Sequence, residues 1–594
     1  MLAAFVPGCE KDPGTGGSQG NEGGRRQSLT LPEISELNAG EQSVNSHSGM
    51  MSRSTLTPIA GTYVQLGSDV TGETMPVYPR FTATDAGDYL MFYHYGNSST
   101  WAGNECEVLR SSDLKNWGNY KKVFSVYPIT DCTGASNKRA YAGAHPLLLR
   151  DGTILTVAST RAISNFRDRV ADNGLSIRTS SDNGYSWSEE TLILLGTNWE
   201  PMPVLLPSGR IQIYYTDSKK TDASVTVSSG SSYIYSDDNG KTWLPADPAD
   251  HIEAFAQVRY TEGSKVILTD QMPAVIALNG SNKLAAAAES FIGGTDYTSY
   301  ISLAYTDESG SWGEPDASGV LPVDRVNNFI KGCAPYLVQF PSGETVLSYN
   351  DGSVFYMRLG DENCRDFGSA IKVFQQTAAT GKGFWGSLYC VDSHRMVAGL
   401  GGSGGVLQIG QFYLNHSIRA ATHQVNVDGN NTEWKKTDET LYICSLGDTK
   451  ATVRAAQDAD NLYLLFEVAD KDISKDDYVQ AFFSDPSRNA LGAGSIRVKA
   501  SYAGLKTAGP YAGGWREGDT GAKVSASYDG TPSLNSDEDN GYVIEISIPK
   551  ASLPVKEGGV LANFSLFDIK NGGEDAIIPT TETSTDSWIM IYGL

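Results

Sequence analysis

Short apolar stretches joined by glycine-containing turns recur along much of the chain. Each copy is a short apolar strand, a glycine-containing turn and a second apolar strand, which is the pattern of a β-hairpin. The copies return at intervals of roughly 50 to 70 residues and begin at Tyr78, His145, Met202, Met272, Ala334 and Trp385. Each interval leaves room for two further strands and a loop. Six such units predict a six-bladed β-propeller over residues 55–416.

The hairpin repeat stops after that region, but alternating strands continue. Residues 417–594 contain them between turns rich in Asp, Asn and Gly, a pattern that predicts a separate β-sandwich. No amphipathic helix long enough for an α/β fold separates the hairpins, so the fold class is all-β. Residues 1–54 have the Gly- and Ser-rich composition of a flexible linker, and we expect no fixed structure there.

A second pattern is interleaved with the hairpins. Residues 180–187 (SSDNGYSW) and 236–243 (SDDNGKTW) share the Asp-box spacing of Ser, Asp, Gly and Trp, and residues 111–117 and 306–312 carry shortened versions. The Asp can accept hydrogen bonds from the turn, the Gly tolerates a positive φ, and the Trp packs under the hairpin. These residues are therefore expected to build turns.

Strand direction predicts where chemistry would lie. The start of the first strand and the end of the second strand share one end of a blade, opposite the glycine turns and Asp-boxes. Polar and aromatic residues selected by that position are Arg80, His145, Trp199, Glu200, Asp270, Glu289, Tyr349, Asp351 and Trp385. A pocket that combines carboxylates, cations and flat aromatic rings suits a sugar.

Glu200 and Glu289 are the candidate catalytic pair, because cleavage of a glycosidic bond usually needs two carboxyl groups. Adjacent blades could present both to the axis, about 5 to 5.5 Å apart in a retaining enzyme. The alternative is that each merely solvates a strand end. Asp270 is more readily structural than catalytic.

The sequence leaves the role of the remaining selected residues open between ligand contact and structure. Arg80, His145 and Tyr349 could contact ligand or hydrogen-bond within a blade, Asp351 could contact substrate, and Trp199 and Trp385 are more often core residues than sugar platforms.

Composition narrows the classes of function. The 594 residues include 46 Lys and Arg against 69 Asp and Glu, for a net charge of −23, which argues against nucleic acid as a partner. The seven cysteines form no CxxC or Cys/His cluster, so no zinc site is indicated; no other metal and no cofactor is expected. No apolar run approaches the roughly 20 residues that span a bilayer.

The N-terminus suggests a location. Cys9 follows the apolar stretch LAAFVPG and precedes the Gly/Ser-rich segment, which resembles a bacterial lipoprotein signal with its lipid-accepting cysteine. The resemblance implies an extracytoplasmic protein, in the periplasm or at the cell surface, that meets the membrane only through a lipid anchor. The alternative is that Cys9 is an ordinary buried or free thiol.

The Asp-boxes make the propeller similar to those of sialidases, which clamp substrate with three arginines and use a Tyr nucleophile. Arg80 could match the first arginine, and Arg259 or Arg325 could supply others. Where the family shows Tyr-Ser-x-Leu, however, this chain has Trp385 followed by Gly-Ser-Leu. That departure puts exo-sialidase activity second.

The propeller more closely resembles glycoside hydrolase family 93, the exo-acting arabinanases. The segments YPRF, WEPM, MPAV with AAAES, and WGSLY carry this resemblance along most of residues 60–415. It implies a retaining glycoside hydrolase in which Glu200 and Glu289 are catalytic and the substrate is arabinan-like. A rival from another class is a glycan-binding surface protein without catalysis, since propellers host many functions.

The segments DGNNTEW and DNLYLLFEVADKD resemble carbohydrate-binding module family 9. The resemblance implies a carbohydrate partner for the sandwich, with Trp515 as the candidate stacking platform and Tyr511 second. Trp434 is expected in the core. The alternative is a sandwich that only packs against the propeller.

Overall fold

The protein is almost entirely built of β-strands. The computed structural model describes residues 25–26, 28, 53–95, 104–217, 230–255, 260–262, 265–292, 298–308, 312, 324–374, 377, 379–435, 438–445, 447–532, 538–570, 572–577, 580 and 583–594. Within them, one α-helix, α1 (Ser68–Thr71), follows the short strands β1 (Arg25–Arg26), β2 (Thr55–Pro58) and β3 (Val64–Leu66). None of the described helices is long and apolar enough to cross a membrane.

Six antiparallel sheets form the blades of the propeller. Blade 1 contains β4 (Pro76–Ala83), β5 (Tyr89–Tyr95), β6 (Cys106–Ser111) and β7 (Gly118–Phe124). Blade 2 contains β8 (Tyr127–Thr130), β9 (Ser136–Leu148), β10 (Ile154–Ala162), β11 (Gly174–Ser180) and β12 (Thr191–Leu195), with two short 3-10 helices at Phe166–Asp168 and Val170–Asp172. Blade 3 contains β13 (Asn198–Leu205), β14 (Ile211–Asp217), β15 (Ser231–Ser236) and β16 (Ile252–Phe255).

The other three blades follow in chain order. Blade 4 contains β17 (Tyr260–Glu262), β18 (Lys265–Ala277), β19 (Lys283–Ile292), β20 (Thr298–Asp307) and β21 (Asp324–Lys331). Blade 5 contains β22 (Cys333–Gln339), β23 (Thr345–Asp351), β24 (Val354–Gly360) and β25 (Ile371–Lys372). Blade 6 combines β26 (Gly383–Cys390), β27 (Arg395–Gly402) and β28 (Leu407–Asn415) with β2 and β3.

The blades close into a ring around one axis. The inner strands β4, β9, β13, β18, β22 and β26 each contact the next, and β26 contacts β4. The N-terminal strand β2 pairs with β28, so the last blade takes strands from both ends of the propeller segment. The six predicted hairpins are confirmed as the inner strand of each blade and the strand that follows it (β4–β5, β9–β10, β13–β14, β18–β19, β22–β23 and β26–β27). The closure through β2 was not predicted.

The Asp-box turns lie at the opposite end of the blades from the predicted mouth. In blade 3, Leu205 pairs with Ile211, which pairs with Ser236 at the start of the turn, while Glu200 lies at the other end of β13. Asp238 accepts hydrogen bonds from the hydroxyl and N–H of Thr242 (2.6 and 2.8 Å), which lower the pKa of Asp238 to about 2. The Asp-box carboxylates thus serve their turns, as predicted.

Two seven-stranded sheets form the sandwich. Beside β1, the first sheet contains β30 (Ala421–Thr422), β31 (Thr440–Ile443), β32 (Lys450–Gln457), β33 (Asn461–Ala469), β37 (Lys523–Asp529) and β38 (Gly541–Pro549). The second contains β29 (Ile418–Arg419), β34 (Tyr478–Ser484), β35 (Ile496–Ser501), β36 (Gly504–Pro510), β39 (Gly559–Asp568), β40 (Gly573–Ala576) and β41 (Ile589–Tyr592). A 3-10 helix spans Lys550–Ser552, and one large apolar core fills the space between the sheets.

The N-terminal linker differs from expectation at one point. Arg25 and Arg26 pair in parallel with Ser527 and Tyr528 at the edge of the sandwich. Backbone hydrogen bonding at a sheet edge fixes even two residues. The other residues of the predicted linker, apart from Ser28, 53 and 54, lie outside the described residues.

The propeller and the sandwich are in direct contact. Ile59 and Tyr413 of the propeller form one buried cluster with Tyr442 and Cys444 of the sandwich. The Asn415 amide donates to the carbonyl of Tyr442 (2.9 Å) and accepts from its N–H (2.8 Å). A buried amide that satisfies both backbone groups of one residue fixes the register of the contact.

Candidate functional site

Every inner strand of the propeller is interrupted by a β-bulge close to its predicted mouth end. At each bulge one residue has a positive φ: Tyr78 (59°), Gly143 (64°), Glu200 (48°), Met272 (49°), Ala334 (52°) and Trp385 (52°). Five of the six are not glycine, and such a conformation costs roughly 1–2 kcal/mol for an L-residue. Strain of this kind collects at functional sites.

Side chains from the second strand of a blade fasten the bulge of the following blade. The acceptors are His94, Thr216 and Glu289, which take the N–H groups of Gly143 (3.1 Å), Met272 (2.7 Å) and Ala334 (2.7 Å), respectively. All three acceptors occupy equivalent positions, because each pairs with the residue that precedes its own blade's bulge. Glu289 therefore fixes the backbone of the next blade, in addition to being a candidate catalytic residue.

The residues around the bulges enclose a small cavity on the axis. Its lining includes Tyr78, Arg80, His145, Glu200 and Tyr336. The Arg80 guanidinium lies 4.9 Å from the ring centroids of both tyrosines, a favourable cation–π arrangement. Only ≈20 Å³ is open to water, about the space of one molecule. This cavity is too small for a sugar. A sugar would have to bind on its solvent side, with the lining residues beneath it.

Glu200 is the carboxyl group that lines this cavity. Its Oε2 accepts a hydrogen bond from the Thr216 hydroxyl (2.9 Å), and its Oε1 accepts a long one from the Tyr78 hydroxyl (3.4 Å). Burial raises the pKa of Glu200 to about 7, and the negative charge of Glu289 adds to the rise. A group with this pKa can hold or release a proton near neutrality.

Glu289 is held differently, although it is also buried. Its Oε1 accepts from the Gln271 amide (3.0 Å), and its Oε2 accepts from the N–H of Ala334 (2.7 Å). Burial raises the pKa of Glu289, while these two hydrogen bonds favour the ionised form. The structure thus gives two interacting carboxyl groups in unlike surroundings, which is how acid and base roles are separated.

Two further predicted residues are engaged by neighbours around this cavity: His145 by hydrogen bonds and Trp385 by ring stacking. Burial and the charge of Arg80 keep the pKa of His145 well below its usual value. The neutral ring fits between the carbonyl of Pro201 (Nδ1, 3.1 Å) and the hydroxyl of Tyr336 (Nε2, 3.1 Å). The Trp385 ring stacks on Tyr78, with centroids 5.0 Å apart.

Of the nine residues selected from the sequence, Arg80, His145 and Glu200 line the cavity, whereas Trp199, Asp270, Glu289, Tyr349, Asp351 and Trp385 do not. Tyr349 is buried between blades, where it stacks on Tyr356, and Asp351 is exposed at the end of β23. Trp199 packs against Phe166 and Arg161, so part of its ring surface is taken by protein. The selection used only the position of a residue along its strand, which does not determine the face of the blade to which its side chain points.

Asp270 is engaged in a buried ion pair. Both of its carboxylate oxygens accept from the guanidinium of Arg325, at 2.5 and 2.7 Å. The pair leaves Asp270 with a supporting role, and it also occupies an arginine that could have clamped an anionic substrate. Arg259, the other arginine considered from the sequence, has no described side chain.

Sequence reasoning missed Tyr78, His94, Thr216 and Tyr336. A usable signal was present, because four of the bulge residues precede a proline at the same point of the repeat: Tyr78, Glu200, Met272 and Ala334. Proline cannot donate to the strand ladder and is found at bulges. That dipeptide would have located the ring of bulges and, through it, the residues that pack against it.

The sandwich places its predicted aromatic residues in different settings. Trp434 is buried, as expected, and its indole N–H donates to Glu545 (2.9 Å). Trp515 is half-buried and contacts Tyr511 and Phe482, with ring centroids 5.2 and 5.5 Å apart. Protein contacts thus orient the Trp515 ring while part of it stays exposed.

Comparison with known proteins identifies one region of the chain. Residues 427–590 match the family described as "Carbohydrate family 9 binding domain-like". No curated protein matches the chain in sequence.

Solved structures resemble the larger part of the chain at low identity. A protein of unknown function from Dyadobacter fermentans is 14% identical, with 61% of this chain and 99% of that one covered and a TM-score of 0.44. The Penicillium chrysogenum α-L-arabinanase complexed with arabinobiose is 16% identical (60% and 98% covered, TM-score 0.40). The NanB sialidase from Streptococcus pneumoniae is 11% identical (60% and 70% covered, TM-score 0.40). Similarity at this level leaves activity to be argued from the chain's own residues.

We predict that Asp270 and Arg325 stabilise the protein jointly. Asp270→Asn should lower the free energy of unfolding by about 3 kcal/mol, because it leaves a largely buried guanidinium without its charge partner. In the double variant with Arg325→Met, the total loss should be smaller than the sum of the single losses by at least about 1 kcal/mol. Urea denaturation of the four proteins measures this. Strictly additive losses would contradict the pairing.

Proposed function

We propose that the propeller is a retaining glycoside hydrolase that acts on the ends of an arabinan-like polysaccharide or oligosaccharide. The observation that carries this proposal is the pair of Glu200 and Glu289. One carboxyl group has a pKa near neutrality and lies within electrostatic reach of a second that is held by two donors. The family 93 resemblance of the surrounding segments favours arabinose-containing substrates.

The unlike surroundings assign the roles. Glu289, with two hydrogen bonds that favour its charge, is the nucleophile: its carboxylate attacks the anomeric carbon as the bond to the leaving-group oxygen breaks. Glu200 donates its proton to that oxygen. In the second step, Glu200 takes a proton from water, whose oxygen displaces Glu289 from the anomeric carbon.

Tyr78 supports Glu200 as a neutral hydrogen-bond donor. Burial and the charge of Glu200 raise the pKa of Tyr78 well above its usual value, so the phenol keeps its proton. The engagement of Arg325 by Asp270 argues against the arginine clamp of a sialidase, because this guanidinium is already paired within the protein.

One observation favours the rival function of a glycan-binding propeller without catalysis. Both oxygens of Glu289 accept hydrogen bonds from within the protein, and one of the donors is the strained backbone of Ala334. These two hydrogen bonds would be sufficient if Glu289 had only a structural role. Turnover by variants of the two carboxyl groups separates the two functions.

We predict that Glu289→Gln lowers kcat by several orders of magnitude on every substrate that the wild type cleaves, since no other group replaces the nucleophile. Glu200→Gln should cause a comparable loss of kcat/KM on arabino-oligosaccharides but a much smaller loss of kcat/KM on aryl glycosides, whose leaving groups need no proton in the first step. The alkaline limb of the wild-type pH profile should fall near pH 7, where Glu200 loses its proton, and disappear in Glu200→Gln.

The matched control is Glu189→Gln, which removes an exposed carboxyl group between β11 and β12, next to the Asp-box of blade 2. It should leave kcat within a few fold of the wild type. Folding of each variant is checked by its melting temperature. Wild-type activity in either Glu variant would contradict the catalytic pair, and glycan binding without turnover by the wild type would favour the rival function.

The sandwich is proposed to hold polysaccharide near the propeller, and Cys9 to carry a lipid that tethers the protein outside the cytoplasm. The family match of residues 427–590 supports the first part. The second part rests on the N-terminal sequence alone, since Cys9 lies outside the described residues.

We predict that Trp515→Ala weakens retention of the full chain on insoluble polysaccharide without changing kcat on short soluble substrates. Loss of one stacking ring costs on the order of 1 kcal/mol, or roughly fivefold in affinity. Because Trp515 also packs on Phe482, Trp515→Phe serves as the control that keeps an aromatic ring. Equal retention of Trp515→Ala and wild type would remove the binding role.

A further inference from the structure

Three carboxyl groups converge on the first blade, away from the candidate catalytic pair. Glu105 and Glu107 lie at the start of β6, and Glu73 lies in the segment between α1 and β4. One oxygen atom of each lies within 4.8 Å of the others. Acidic groups that close repel one another unless a cation or protons lie between them.

The charges near this cluster do not cancel. The Lys122 ammonium contacts Glu105, whose other oxygen accepts from the N–H of Val126 (3.4 Å). With all three carboxyl groups ionised, this one cation leaves two negative charges. A single divalent ion would neutralise them.

Glu107 provides a second observation, because it is fully buried and aimed into the cluster. Its exposed fraction is 0%, and neither of its carboxylate oxygens has a hydrogen-bond partner of normal geometry within the described residues. Its polar neighbours include the Glu73 carboxyl group and the Tyr120 hydroxyl, neither of which brings a positive charge. A buried carboxylate without a countercharge is costly, and a cation between Glu107 and Glu73 would supply one.

We propose that Glu73, Glu105 and Glu107 bind a Ca²⁺ ion. All the donors are carboxylate oxygens, which suit calcium and not zinc. Oxygens within 4.8 Å of one another can surround an ion that sits 2.3–2.6 Å from each ligand. Water would complete the six to eight ligands that calcium takes.

The ion would brace the entry to the first inner strand. Glu73 lies three residues before β4, whose bulge carries Tyr78 and leads to Arg80. The Thr71 hydroxyl accepts from the N–H of Glu73 (3.3 Å) and donates to its carbonyl (3.2 Å), and the Thr71 carbonyl accepts from Tyr93 of β5 (2.7 Å). A calcium link to β6 would add a strong tie. This inference stands whether or not the propeller is catalytic.

Isothermal titration of the chelator-treated full chain with Ca²⁺ tests the proposal, together with melting temperatures with and without the ion. Glu107→Gln and Glu73→Gln should each bind one Ca²⁺ fewer per chain than the wild type and lose the corresponding rise in melting temperature. Glu189→Gln, an exposed glutamate of blade 2, should bind like the wild type. Glu73→Gln provides the answer if Glu107→Gln does not fold, since Glu73 is only partly buried.

Two results would overturn the site. If the wild type binds no Ca²⁺ at millimolar concentration, the cluster is neutralised by shared protons. If both variants bind as many ions as the wild type, calcium binds elsewhere, for example among the acidic residues of the sandwich.

Discussion

The strained backbone of the inner strands is the constraint on which the candidate site depends. A regular strand would point alternate residues to the two faces of its blade, and only a bulge redirects a side chain toward the axis. Positive φ values at five non-glycine residues carry a conformational cost that the surrounding packing must offset. The acceptors His94, Thr216 and Glu289 each fasten the bulge of a neighbouring blade. Closure of the ring through β2 then keeps all six inner strands in place.

Glu289 connects this structural constraint to the proposed chemistry. The hydrogen bond that it accepts from Ala334 fixes the next blade, and the same bond favours the charged form that a nucleophile needs. Glu200 lies on a bulge itself, and its φ of 48° is part of what directs it to the axis. A substitution at either position therefore disturbs both stability and the site, and conservative amides are the informative variants.

The sequence predicted the architecture well because the signals were local and repeated. Repeated apolar strand pairs, glycine turns and Asp-boxes predicted the six hairpins and the end of the blades at which their turns lie. Positions that depend on distant partners were less accessible. Tyr349 satisfied the position filter but points between blades, and Asp270 proved to be tied to Arg325, which is distant in sequence. Tyr78 and Tyr336 were not predicted as site residues, because their shared contact with Arg80 depends on closure of the ring.

The proposed mechanism requires that Glu200 and Glu289 interact electrostatically and that Glu200 is protonated near neutrality. The most direct test is the pH-difference infrared spectrum of the wild type, in which a protonated carboxyl group gives a carbonyl stretch that the carboxylate lacks. Burial also raises the pKa values of Asp470 and Glu545 to about 7, so the signal of Glu200 is the difference between the wild type and Glu200→Gln. We expect the wild type to show one band more than Glu200→Gln, which disappears as the pH rises through about 7 and titrates at lower pH in Glu289→Gln, because the charge that raises the Glu200 pKa is removed. An extra wild-type band that disappears below pH 5, or one that Glu289→Gln leaves unshifted, would contradict the pairing.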